Sequence, residues 1–163
     1  MRSVFKLLAL MLGLNALACA ALITGEDKAV SESTYDAALA TELGADDYGM
    51  RSYVLAILKT GPNDASITDE AKRKELFAGH FANMGVMAEA EQLVLAGPLD
   101  GKMQRRGIYV FNVKSIEAAQ ELIKADPAIA AGIFEVELHQ YYGSAALMAI
   151  QKTHTKIQKK KIG

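Results

Sequence analysis

The chain has no tryptophan, one cysteine and only 3 prolines among its 163 residues. A single cysteine closes no internal disulfide, and Cys19 lies within an apolar leader, so neither thiol catalysis nor a cysteine-based zinc site is expected in the body of the chain. Lack of a dominant charge is the next absence: the formal net charge is −1. That near-balance hides three blocks. The leader carries Arg2 and Lys6, residues 26–47 carry seven acids against one lysine, and Lys152 to Lys161 supply five lysines. The body between them is close to neutral and the basic tail has no interleaved aromatics, so nucleic acid is not an expected partner. A hydrophobic share of 51% rules out disorder throughout and fits one globular domain with extensions.

Residues 1–22 combine the basic start with an apolar stretch from Leu7 to Leu22 and small residues at Ala16, Ala18, Ala20 and Ala21. This is the pattern of a secretory signal, with cleavage after Ala18 or after Ala20, and it predicts an exported, periplasmic protein with no stable membrane span once the leader is removed. Lipid attachment at Cys19 fits less well, because Ala16 and Leu17 stand in the reverse of the usual lipoprotein order. A retained anchor is the alternative, since the run is close to the lower limit of about 17 residues for a span. Residues 23–49 read as an acidic linker or arm, with a short helix possible from Tyr35 to Leu43.

The folded body begins near Met50. Tyr53-Val54-Leu55-Ala56-Ile57-Leu58 is a continuous apolar run stopped by Gly61-Pro62-Asn63-Asp64, as in a strand buried on both faces. Thr68 and Asp69 offer caps for a helix whose Leu76, Phe77, His80, Phe81, Met84 and Met87 recur at three-and-four spacing and form one inward stripe. A short strand follows from Gln92 to Ala96, ended by Gly97-Pro98, and then a stronger one from Ile108 to Val113. Ser115 caps a second helix, Ile116 to Ala125, which ends before Pro127. Ile133 to His139 alternates apolar and polar residues, as a strand with one wet face does. The order βαββαβ predicts an α+β, ferredoxin-like fold with a four-stranded antiparallel sheet and both helices on one face. The other face needs cover, and a second copy in a homodimer is the simplest source. Residues 144–163 form a small-residue segment, helical through Ala145, Met148 and Ile150, and a basic tail whose default is a solvated surface.

His80 is the first candidate for chemistry. Its place in the apolar stripe turns the ring toward the sheet, where it acts either as an acid–base group oriented by a carboxylate or as a buried histidine satisfied by a backbone carbonyl. Asp126, at the end of the second helix, meets the unfavourable end of the helix dipole; it serves a site or caps the turn through Pro127-Ala128-Ile129. Gly97 and Pro98 allow close backbone approach to a ligand or simply make a turn. Arg105 and Arg106 bind an anion or keep a strand edge soluble. Glu135, Glu137 and His139 share a strand face, but nothing in their spacing, or around His154, makes a convincing metal site, and none is expected.

These residues, taken in order, resemble the YciI-like (YCII-related) family, of the dimeric α/β barrel type. The resemblance rests on Tyr53-Val54-Leu55, His80 followed by Leu95-Ala96-Gly97-Pro98, Ser115 to Gln120, Ala125-Asp126-Pro127, and Gly132 before Phe134-Glu135, and it covers about residues 50–143. It implies a site built from His80 and Asp126, and a small-molecule enzyme that uses a His/Asp acid–base pair without a cofactor. A non-catalytic dimeric binding or accessory module of the cell envelope is the alternative. The leader, the acidic arm and the basic tail are additions to the minimal domain of that family.

Overall fold

The computed structural model describes residues 34–160. The element order is α1 (Ala37–Leu43), β1 (Met50–Thr60), α2 (Glu70–Glu89), β2 (Leu93–Pro98), β3 (Arg105–Phe111), α3 (Ile116–Lys124), α4 (Pro127–Ala130), β4 (Phe134–Ser144) and α5 (Ile150–Ile157). Short 3₁₀ turns occupy Lys102–Gln104 and Ala145–Ala149. The strands form one antiparallel sheet in the order β2-β3-β1-β4, which is the α+β ferredoxin-like arrangement. The residues predicted as the leader, 1–22, lie outside the described residues.

Local chemistry sets the helix starts. Asp69 accepts from Lys72 N at 2.6 Å and opens α2, while Ser115 accepts from Ala118 N at 3.2 Å and opens α3. Gly132 closes the turn after α4 at φ +76°, a left-handed conformation that other residues adopt only with strain, and so aims the chain into β4. Alternation then sorts the strands. Val54, Ala56 and Leu58 of β1, Tyr109 and Phe111 of β3 and Leu93 of β2 meet Leu76 and Met87 of α2, Ala119 of α3 and Ala128 of α4 in one core. Each Leu or Phe fully removed from water there contributes about 1.5–3 kcal/mol.

Several boundaries differ from the sequence expectation. Strand β2 runs on through Gly97 and Pro98, and β3 starts at Arg105, because the two strands stay paired to the Pro98–Gly107 level at the sheet edge, where a proline is tolerated. Strand β4 reaches Ser144, paired along the whole of β1. Phe81, expected on the inward stripe, is 37% exposed; a helix turns about 100° per residue, so a stripe holding both His80 and Phe81 is wider than the buried face.

The second sheet face has cover from its own chain at one end. Leu147 and Met148 pack on Tyr53, Val94 and Val110, all three of them buried, with Leu55 and Leu95 at their margin. The arm joins the same end. Arg51 donates to Leu43 O at 2.7 Å and to Asn112 Oδ1 at 2.6 Å, Lys152 pairs with Glu42 at 2.5 Å, and Tyr142 donates to Asp46. The arm therefore holds the short helix expected within it, over Ala37–Leu43, and the segment after β4 is helical as expected and folds back on the sheet, with the described lysines beyond it exposed. No helix among the described residues is long and apolar enough to cross a membrane.

Candidate active site

The candidate site starts with a cap. Helix α3 ends at Lys124 with Ala125 as its C-cap, and the next residue, Asp126, is the N-cap of α4. Asp126 Oδ1 accepts from Ala128 N at 2.9 Å and from Ile129 N at 3.3 Å, so the carboxylate caps the turn through Pro127-Ala128-Ile129, one of the two roles expected for it, and sits at the favourable end of a helix where the sequence reads as a turn. The break at Ala125–Pro127 makes the difference, since it turns the end of one helix into the start of another.

The other carboxylate oxygen is left for a different partner. Asp126 Oδ2 lies 2.7 Å from His80 Nδ1 across 46 residues of sequence. A carboxylate held by backbone donors only accepts, so Nδ1 carries the proton. The two helices meet closely because Gly79 has no side chain: a Cβ there would stand 2.7 Å from Pro127 Cγ. The sequence Gly79-His80 on α2 and Asp126-Pro127 before α4 thus works as one interlocking contact.

On its other side His80 Nε2 lies 3.1 Å from the hydroxyl of Tyr109 on β3. The two rings stack at 28° with centroids 6.1 Å apart, and Phe77, Phe81 and Phe134 stand around the imidazole with centroids 6.2, 5.5 and 5.2 Å away. Asp126 and Tyr109 are buried, and His80 keeps 6% exposure beside the exposed Phe81. Burial first, and the charge of Asp126 second, push the Tyr109 phenol well above the ordinary tyrosine range. Tyr109 is therefore a neutral phenol, able to donate a proton and slow to lose one.

Tyr109 was not legible as a site residue in sequence. A strand tyrosine in an apolar run reads as core, and the available signal is its alternation with Phe111: both point to the helix face, where a buried phenol needs a partner. The remaining candidates fall elsewhere. Gly97 and Pro98 are strand residues opposite Ile108 and Gly107, next to Ala96, which pairs with Tyr109. They border the site through the backbone. Arg105 and Arg106 are exposed at the start of β3, with Arg105 opposite Lys59, and neither guanidinium has a side-chain partner among the described residues. Neither touches His80, Tyr109 or Asp126. A surface hollow of about 410 Å³ lies on α3 and α4, lined by Gln120, Ile123, Lys124, Ile129 and Ala130; its lining includes none of the three. His139 lies 3.7 Å from Glu137 on the other sheet face, and no cluster of metal-ligating side chains occurs among the described residues.

Fold and site together define a class: a small α+β domain with helices packed on an antiparallel sheet and a buried Asp–His–Tyr chain between them. The chain belongs to the YCII-related domain family, whose sequence model matches residues 53–140. Among solved structures it is similar to the 5-chloro-2-hydroxyhydroquinone dehydrochlorinase of Burkholderia phenoliruptrix, determined in complex with 2,5-dihydroxybenzoquinone. That similarity has 18% identity and a TM-score of 0.41, and spans 55% of this chain and 92% of the other. No curated protein matches the sequence.

Proposed function

We propose that the protein is a small-molecule enzyme in which His80 moves a proton and Asp126 orients it. The observation that carries this reading is the 2.7 Å contact between His80 Nδ1 and Asp126 Oδ2, in a site walled by aromatic rings. A carboxylate that fixes one imidazole nitrogen leaves the other to exchange a proton near neutral pH, and the step needs no group beyond these side chains. Access runs past Phe81, the exposed ring of the cage. Gly97 and Pro98 shape the neighbouring edge; Arg105 and Arg106 attract anionic ligands toward it from the start of β3.

The setting proposed for this activity is the periplasm, reached through the signal at residues 1–22, with the uncovered end of the second sheet face against another copy of the chain. Leu55, Ile57 and Ile108 are the half-buried apolar residues available for that contact. A second reading, a non-catalytic binding module, is favoured by one specific observation: both nitrogens of His80 are already engaged within the protein.

A thermal-shift screen separates the two readings. The protein and its His80→Gln variant are compared against small carboxylates, phenols and lactones, because a ligand selective for the native state raises the melting temperature. Catalysis predicts a ligand that stabilises the protein and not the variant, followed by turnover of that ligand. Equal stabilisation of both forms by every ligand refutes a site at His80.

A further inference from the structure

We propose that Tyr109 is a positioning residue that fixes the direction of the hydrogen-bond chain, its O–H donating to His80 Nε2 while His80 Nδ1–H donates to Asp126. The geometry is closed at one end. Asp126 is occupied on Oδ1 by two backbone amides and only accepts on Oδ2, so the proton on Nδ1 is fixed. The direction at Nε2 is decided by Tyr109.

Its hydroxyl is buried, with the residue 3% exposed, and among the described residues it has the single partner His80 Nε2. Were Nε2 to carry a proton and donate, the buried phenol O–H would have no acceptor left, with Phe111 against the tyrosine ring and Phe77 and Phe134 against the imidazole. Donation from Tyr109 satisfies every polar atom of the three side chains at once. Burial and the nearby carboxylate also keep the phenol protonated, which preserves it as a donor.

The consequence is a ligand rule. In this arrangement Nε2 is an acceptor, so a ligand that engages it brings a hydroxyl that donates to Nε2 and accepts from the displaced tyrosine O–H. An acceptor-only carboxylate has no partner there and meets the charge of Asp126 behind the ring. The use of this rule in turnover rests on the acid–base reading above, whereas the chain direction stands without it.

Nitrogen-15 NMR of the histidine side chains near neutral pH tests the inference in the ligand-free protein. The expected spectrum shows His80 with Nδ1 protonated and Nε2 as a hydrogen-bonded acceptor. In Tyr109→Phe, Nδ1 stays protonated and the Nε2 resonance moves toward that of an unbonded acceptor nitrogen; a mere packing role for the hydroxyl would leave it in place. In Asp126→Asn, the amide can donate to Nδ1, so the chain reverses and the proton appears on Nε2. Addition of phenol to the unmodified protein moves the Nε2 resonance, and benzoate does not.

A resting imidazolium, a proton on Nε2 in the unmodified protein, an Nε2 resonance unmoved in Tyr109→Phe, or a benzoate response as large as that of phenol overturns the proposal. The spectrum of the unmodified protein decides the direction even if a variant does not fold. Absence of turnover bears on the enzyme reading and leaves these spectra intact.

Discussion

Replacing Asp126 with alanine removes three accepted N–H bonds in one step, from Ala128 N, Ile129 N and His80 Nδ1. Loss of the cap costs about 1 kcal/mol. The buried imidazole N–H, left without an acceptor, adds about 1–3 kcal/mol. The expected total is about 2–4 kcal/mol, large for the loss of one short side chain. At about 4 °C per kcal/mol for a domain of this size, the melting temperature should fall by about 8–16 °C. Asp126→Asn is the informative partner, because its amide oxygen keeps the cap and its NH₂ still reaches Nδ1 once the imidazole tautomer changes; it should lose only about 1–2 kcal/mol. Urea unfolding of both variants, read by circular dichroism with the slope checked for two-state behaviour, gives the comparison. An alanine variant within about 1 kcal/mol of the parent, or an asparagine variant as damaged as the alanine one, refutes the energetic account.

Other outcomes follow from the same contacts. Gly79→Ala gains about 1 kcal/mol of helix propensity yet places a methyl 2.7 Å from Pro127 Cγ, so a net loss of about 1 kcal/mol in chemical denaturation is expected, and a stabilised variant refutes the close approach. Tyr109 has its ionisation raised above the ordinary value of 10.0 in the folded state. The unfolded phenol ionises first as pH rises, so this group's contribution is complete below about pH 10 and lost progressively above it. Stability measured through that alkaline range should fall more steeply in the parent than in Tyr109→Phe; parallel curves contradict the assignment. Truncation before Ala145 uncovers Tyr53, Val94 and Val110, and the expected reading is a gain in binding of a hydrophobic dye or a shift to a larger species on gel filtration. An unchanged monodisperse profile without dye binding shows that the segment gives no such cover.

The sequence alone determined the order of strands and helices, because that order is written in short-range chemistry. Apolar runs in Tyr53–Leu58 and Ile108–Val113, the caps at Asp69 and Ser115, and the stop at Asp126-Pro127 each act within a few residues, and each marks the element expected of it, although β3 runs from Arg105 to Phe111 rather than on to Val113. The apolar stripe singled out His80 and the helix end singled out Asp126, and the family resemblance implied that they form one site, but the spacing of 46 residues carried no information about their contact. Tertiary structure decided that contact, through the missing side chain of Gly79 and the second helix start at Asp126. It also decided the third partner, since the burial of the Tyr109 hydroxyl beside Nε2 depends on how α2 lies across β3. Leu147 and Met148 teach the same lesson on the opposite face: the small-residue segment is helical as expected and the described lysines beyond it are exposed, but that the segment packs on Tyr53, Val94 and Val110 was decided only once the sheet had brought those three side chains together.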